Sequence, residues 1–394
     1  KFNNQPSPPK VGITFKESGT YNDFTNINIG GITPDGKDAT NEISYMVLEI
    51  QEELHELQPG LSIHISHVTP DRFLLAGCKV IRQGHGYPSV FNPDVYVQEL
   101  MRQGKTLRDA REGGCSGCIE VGAFGKEAYL LTGYLNTPKI LEITLHNGID
   151  PESGKRLGLE TGDPRSFKTF DELYEAYRKQ MHHFVDMKMR VNNYIERMFS
   201  LYAPATFLSL FIDDCIAKGK DYYSGGARDN TTYIQCTGLG TITDCLASLK
   251  KHVFEDRTYT MDEMLQAVDN NFRGQEKMRQ YILNRTPFFG NDDEYADRIA
   301  VRVYDDLVEA IDGKPNTRGG RTCLNMLSTT CHNYFGSVCG ASCNGRLAHF
   351  AISDGTSPSH GADTNGPTSV VKSMGKLDQT KSGGTLLNVR FVPT

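Results

Sequence analysis

From Ala39 onward, apolar residues recur at Ile43, Met46, Val47, Ile50, Leu54 and Leu57 and stop at Pro59-Gly60. Steps of three and four put them on one face of a helix. Leu61 to Val68 then alternates apolar with polar, the period of a half-buried strand in which His64 and His67 are ordinary strand positions. A helix is predicted from about Pro93 to Arg102, and another ordered element starts at Lys139 and runs to Leu145. The longest periodic stretch carries Leu173, Tyr177, Met181, Phe184, Met187, Val191, Ile195 and Phe199. It opens on Thr169-Phe170-Asp171-Glu172, a capping-box pattern, and closes before Pro204. His182 and His183 fall inside it, and neighbours on a helix diverge by about 100°, so the two rings do not share a ligand face. Further helices are predicted over 207–218, 241–250, 261–271, 275–284 and 293–311, with loop and strand material between 221 and 234. Lys1 to Pro9 reads as an extended strap, and Gly30 to Gly36 as turn chemistry. There is no internal repeat. Few clear strands against many helices suggest, on pattern alone, a helical protein.

The chain of 394 residues is long enough for one large domain or two to three smaller ones. With 42 basic against 48 acidic residues and no Lys/Arg run longer than a pair such as Lys250-Lys251, it lacks the electrostatic footprint of a nucleic-acid binder. No apolar run approaches membrane-spanning length and the N-terminal residues are too polar for a signal segment, so the chain reads as cytoplasmic, with no membrane partner. Ten cysteines are too few for a disulfide scaffold at this length and read as reduced thiols. Cys115-x-x-Cys118 and Cys339-x-x-x-Cys343 could be assembled into a four-thiolate zinc site. They are far apart in sequence and have no histidine at ligand spacing, so no metal is expected.

The candidate chemistry lies in Gly113-Gly114-Cys115-Ser116-Gly117-Cys118-Ile119-Glu120-Val121-Gly122. If this backbone is extended, residues two apart share a side, so Cys118 and Glu120 face one cavity and Cys115 points away. The glycines let another segment or a substrate approach the sulfur. Taken alone, Gly-Cys-x-Glu reads more simply as a small core thiol beside a solvated charge. A second block runs from Ile352-Ser353-Asp354-Gly355-Thr356-Ser357-Pro358 to Asp378, followed by Gly383-Gly384-Thr385-Leu386-Leu387-Asn388. Together the two blocks resemble the glycyl radical enzymes of the pyruvate formate-lyase superfamily. Phe124-Gly125-Lys126-Glu127-Ala128-Tyr129 and Leu131-Thr132-Gly133-Tyr134-Leu135-Asn136 narrow the resemblance to the branch that dehydrates a hydroxylated proline.

The resemblance implies an α/β fold: part of a ten-stranded barrel made of two five-stranded half-barrels, surrounded by helices, with residues 1–394 forming a single partial catalytic domain. It implies an internal fragment, lacking an N-terminal portion and the C-terminal glycyl radical loop, whose isolated form is inactive. Cys118 would become a thiyl radical after oxidation by a glycyl radical outside this chain, installed by a radical S-adenosylmethionine activase; no cofactor would be bound. Glu120 would exchange the protons that loss of water requires, a task suited to a carboxyl whose neutral form burial favours. Ser18 and Asp23 fall where polar contacts to a hydroxyproline-like amino acid are expected, Phe24 where an aromatic wall is, Tyr134 in the pocket, and Thr329 near the substrate carboxylate. The complete enzyme would be a homodimer. The block 353–378 is rich in Ser, Thr, Asn, Gly and Asp and reads as polar turns, without phosphate-loop spacing. Alternatives are a glycyl radical lyase of the diol or choline type, or a truncated, non-catalytic piece of such an enzyme.

Overall fold

The computed structural model describes residues 26–56 and 59–390. Two three-stranded sheets, each wholly parallel, organise them. The first has β1 (Asn26–Gly30), β2 (Gly60–His64) and β3 (Ser89–Phe91) in sequential order. The second has β6 (Glu127–Asn136), β7 (Asp229–Thr237) and β8 (Arg321–Asn325), again in order. Between them a short antiparallel hairpin joins β4 (Gly114–Cys115) to β5 (Val121–Gly122). Parallel neighbours require crossovers, and helices supply them. Glu42–Leu54 links β1 to β2, Asp71–Ile81 links β2 to β3, and longer helical runs separate β6, β7 and β8. The chain is therefore α/β, and not the helical protein that pattern alone suggests.

The strands were hard to read because parallel strands covered on both faces do not alternate. β2 is the example. The expected half-buried strand over 61–68 ends at His64, and all five of its residues are buried, including the polar Ser62 and His64. Their polar atoms are satisfied by Asn26, Asn28 and Tyr96. His67 lies outside the strand, on the surface, paired with Asp94.

Two helices differ in facing from the expectation. In Glu42–Leu54 the apolar positions Ile43, Met46, Ile50 and Leu54 are exposed, whereas Ser44, Leu48 and Gln51 are buried. The Asn41–Ser44 capping box and a bond from Gln51 Nε2 to Glu56 O of 2.6 Å fix that rotation, and Leu48 joins Ile29, Ile63 and Phe73 in the core. Leu57 lies outside the described residues. The helix Phe170–Tyr202 opens on the predicted Thr169/Glu172 capping box and buries Leu173, Tyr177 and Met181 as read. Beyond Met189 its inward face is polar, Asn192 and Glu196, and Val191 and Phe199 face outward.

The predicted helix over 207–218 is two short turns, Thr206–Ser209 and Cys215–Lys218, separated by the left-handed residue Asp214. Helices at Leu239–Leu249, Met261–Asp269, Glu276–Arg285 and Glu294–Ile311 lie where the periodicity places them. The first is buried along its whole length and forms the centre of the main core. The polar block is mostly turns, as read, but includes the helix Pro367–Met374. Among the described residues no helix is long and apolar enough to cross a membrane.

Candidate active site at the cysteine loop

The β4–β5 hairpin carries Cys118 in its connecting loop, so Cys118 and Glu120 come together by loop closure and not by the alternation of an extended strand. Glu120 Oε2 accepts the backbone N–H of Cys118 at 3.1 Å and of Ile119 at 3.3 Å. The Ser116 N–H and hydroxyl donate to the Glu120 carbonyl at 2.8 and 3.1 Å, closing the loop base. Glu120 is only 4% exposed. Burial pushes its carboxyl above the usual range, and the amides around it act in the opposite sense. Cys118 is half-buried, while Cys115 is fully buried beneath the loop, its thiol donating to Gly117 O at 3.3 Å. Burial, with the Glu120 carboxylate adding to it, pushes the Cys115 thiol up.

Three glycines are required for this packing. A Cβ at Gly122 would sit 2.1 Å from the Tyr129 ring. Gly383 and Gly384 thread between Tyr233 and the cysteine loop. A Cβ on Gly383 would lie 2.1 Å from the Tyr233 ring, and one on Gly384 would lie 2.2 Å from Ile119 O. The thread extends the second sheet, with Gly383 N–H donating to Leu324 O and Met326 N–H donating to Gly384 O. Tyr233 Oη donates to Val121 O at 2.8 Å, tying hairpin to sheet. Gly384 also has φ +121. Gly384→Ala is therefore expected to lose roughly 1–3 kcal/mol by overpacking, with backbone strain in addition, seen as a lower urea midpoint at unchanged m-value.

Tyr134 and Thr329 meet at the C-terminal side of the second sheet. The β6–β7 register shifts between Leu131 and Tyr134, and such an irregularity re-aims the side chain that follows it. Tyr134 Oη and Thr329 Oγ1 are 2.7 Å apart. Burial pushes the Tyr134 hydroxyl up to about 12; Cys331, Cys118 and Glu120 lie near enough to add to this, and the Thr329 bond opposes it. Thr329 has φ +50, a left-handed conformation that a β-branched residue seldom adopts and that marks strain at functional positions. Ser18, Asp23 and Phe24 lie outside the described residues.

Asn26, Asn28, Tyr233 and His64, the last expected to be an ordinary strand residue, all hold the loop or its support. The signal available was the alternation Asn26-Ile27-Asn28-Ile29, which puts two amides on one strand face. Two open cavities, about 640 and 220 Å³, lie elsewhere: one beside Cys245, Cys339 and Cys343, the other at the N-terminal ends of β7 and β8. Among the described residues no three His, Cys, Asp or Glu side chains are grouped to hold a metal.

A model of the pyruvate formate lyase-like family matches residues 1–336. The chain belongs to the pyruvate formate lyase-like family. A glycine radical model matches residues 352–394, so the polar block and the Gly383-Gly384 thread both fall inside that second match. Trans-4-hydroxy-L-proline dehydratase of Clostridioides difficile is 53% identical over 100% of this chain and 50% of its own length. (2S)-3-sulfopropanediol dehydratase of Klebsiella oxytoca is 32% identical over 99% of this chain and 48% of its own. A crystal structure of the C. difficile hydroxyproline dehydratase with trans-4-hydroxy-L-proline bound superposes with a TM-score of 0.95 at 52% identity, covering 98% of this chain and 49% of that one. The glycerol-bound glycerol dehydratase of Clostridium butyricum superposes with a TM-score of 0.89 at 36% identity, over 94% of this chain and 47% of that one. The chain thus spans about half the length of the family members it matches.

Proposed function

We propose that this chain is the cysteine-loop portion of a glycyl radical dehydratase that converts trans-4-hydroxy-L-proline to 1-pyrroline-5-carboxylate and water. The observation that carries the reading is buried Glu120 accepting the Cys118 N–H within the loop, with the Tyr134–Thr329 hydrogen bond beside it. The 53% identity to a hydroxyproline dehydratase supports the substrate class.

The glycyl radical, when present, supplies the oxidant that takes the hydrogen atom from the Cys118 thiol. Gly384, inside the glycine radical match, lies against the Ile119 backbone with no room for a side chain, so that matched segment packs on the cysteine loop, and the radical glycine itself is a residue outside this chain. Cys118, once it is the thiyl, takes one hydrogen atom from the substrate to become the thiol and returns it to the product radical, which regenerates the thiyl. Glu120, whose carboxyl burial shifts upward, gives a proton to the departing hydroxyl, which leaves as water, and takes one back from the substrate. Tyr134 and Thr329 orient the substrate, Thr329 toward its carboxylate; by resemblance Ser18 and Asp23 supply polar contacts to it and Phe24 an aromatic wall. The two parallel sheets belong to a ten-stranded barrel formed by one domain. The complete protein is a cytoplasmic homodimer activated by a radical S-adenosylmethionine enzyme.

The test is anaerobic activation of the full-length protein, followed by incubation with trans-4-hydroxy-L-proline, a vicinal diol, choline and sulfopropanediol in parallel. Pyrroline carboxylate from the first alone is the expected result. Turnover of any of the others in preference would replace this substrate assignment.

A further inference from the structure

We propose that Asn28 is a positioning residue that sets the register of the cysteine loop, and that His64 and Tyr96 hold it in the required orientation. The Asn28 side chain pairs with the backbone of Cys115 in both directions. Its Nδ2 donates to Cys115 O at 2.9 Å, and its Oδ1 accepts Cys115 N–H at 3.0 Å. An amide side chain here does what a neighbouring strand would do, extending the hairpin onto β1. Gly114 leaves the space for it, since a Cβ there would lie 3.0 Å from Asn28 Oδ1. Two residues earlier on the same strand face, Asn26 Nδ2 donates to Gly117 O at 2.8 Å. The loop is therefore gripped on both sides of Ser116, just before Cys118.

The orientation of the Asn28 amide is reinforced from behind. His64 Nε2 lies 2.6 Å from Asn28 Oδ1 and His64 Nδ1 lies 3.2 Å from Tyr96 Oη. Because Oδ1 also receives the Cys115 N–H, His64 must place its proton on Nε2, which leaves Nδ1 to accept the Tyr96 hydroxyl. The ring is 3% exposed, stacked on Phe91 at 5.5 Å and met edge-on by Tyr96. Burial pushes its pKa down to about 4, so the neutral ring this pattern demands is the form present near neutrality. A flipped Asn28 amide would set N–H against N–H at two positions. The Cys115 backbone and the Nε2-protonated His64 ring thus favour the same orientation of the Asn28 amide, the ring reinforcing from behind what the loop selects in front.

The consequence for catalysis rests on Cys118 being the reacting thiol; the clamp itself does not. In the full-length protein, Asn28→Ala is expected to lower kcat by about 10- to 100-fold with KM within about twofold, as displacement of a reacting group does. The glycyl radical signal after activation should keep its wild-type amplitude. Cys115, now buried, should be alkylated by iodoacetamide at least about tenfold faster, followed by peptide mass mapping. His64→Leu should show both effects, and His64→Gln, which restores an N–H to Asn28 Oδ1, should show them more weakly. Wild-type alkylation of Cys115 in both Asn28→Ala and His64→Leu would overturn the clamp. So would a raised KM at unchanged kcat. Should Asn28→Ala fail to fold, the His64 pair decides by the same readouts. If the wild-type enzyme turns over no hydroxyproline, the proposed reaction fails, while the alkylation comparison still decides on the clamp.

Discussion

Cys118→Ser in the complete enzyme is expected to reduce dehydration to background while leaving circular dichroism and thermal midpoint close to wild type. The fold should survive because Glu120 anchors the loop through the Cys118 backbone N–H, a bond that serine keeps. Activity should not, because a hydroxyl does not exchange a hydrogen atom with carbon as a thiol does. Product assay under anaerobic conditions checks this, and substantial turnover by a native-like Cys118→Ser protein would remove Cys118 from the reaction. Glu120→Gln completes the argument. It keeps an oxygen for the Cys118 and Ile119 amides but cannot give up or accept the proton, and the expected loss is roughly 10²- to 10⁴-fold in kcat. A variant with normal turnover would make Glu120 a loop anchor only.

The largest expected effect on stability comes from beneath the hairpin. Lys105 Nζ lies 2.8 Å from Glu127 Oε1, with the two side chains 2% and 0% exposed. Glu127 also accepts the Thr231 hydroxyl and, at 3.0 Å, the Ala123 N–H. Lys105→Met would leave that carboxylate buried without its cation, a change that costs about 3–5 kcal/mol. Glu99 sets the pH dependence. Burial already holds its carboxyl well above the usual range, and Lys105 is the first of the charges opposing that shift. A raised carboxyl pKa favours the fold below the unfolded value, and that contribution is lost as pH rises through the folded value. Without Lys105 the shift grows, so the deficit should be smallest in acid and widen toward neutrality. Urea titrations across that range measure it, and a deficit independent of pH would place the cost in lost packing instead.

Residues that act locally were legible in the chain. The capping box at Thr169 and Glu172, the helix Pro93–Arg102 and the thiol–carboxylate spacing all depend on near neighbours. Fold class came from the family resemblance, since buried parallel strands such as β2 have no alternating signature. Helix facing was misread at Ile43 and Val191 because the inward side is set by what a helix packs against, not by its own apolar count. The Asn26/Asn28 alternation marks a polar strand face but not what that face binds, and Tyr233 carries no local signal: Asn28 acts on Cys115 and Tyr233 on Val121 across a long stretch of chain. Tyr134 and Thr329 came only through resemblance, and their hydrogen bond spans 195 positions.

The glycine thread also bears on the order of assembly. Ile119 is pressed from one side by Gly384, more than half the chain away in sequence. Contacts of such separation pay the greatest loop-closure entropy and form late when a chain folds. Sheets and helices can reach native form while the cysteine loop still lacks its backing. During synthesis, the cysteine loop therefore gains this backing only after the residues around 384 have left the ribosome and docked, well after the neighbouring strands have been made.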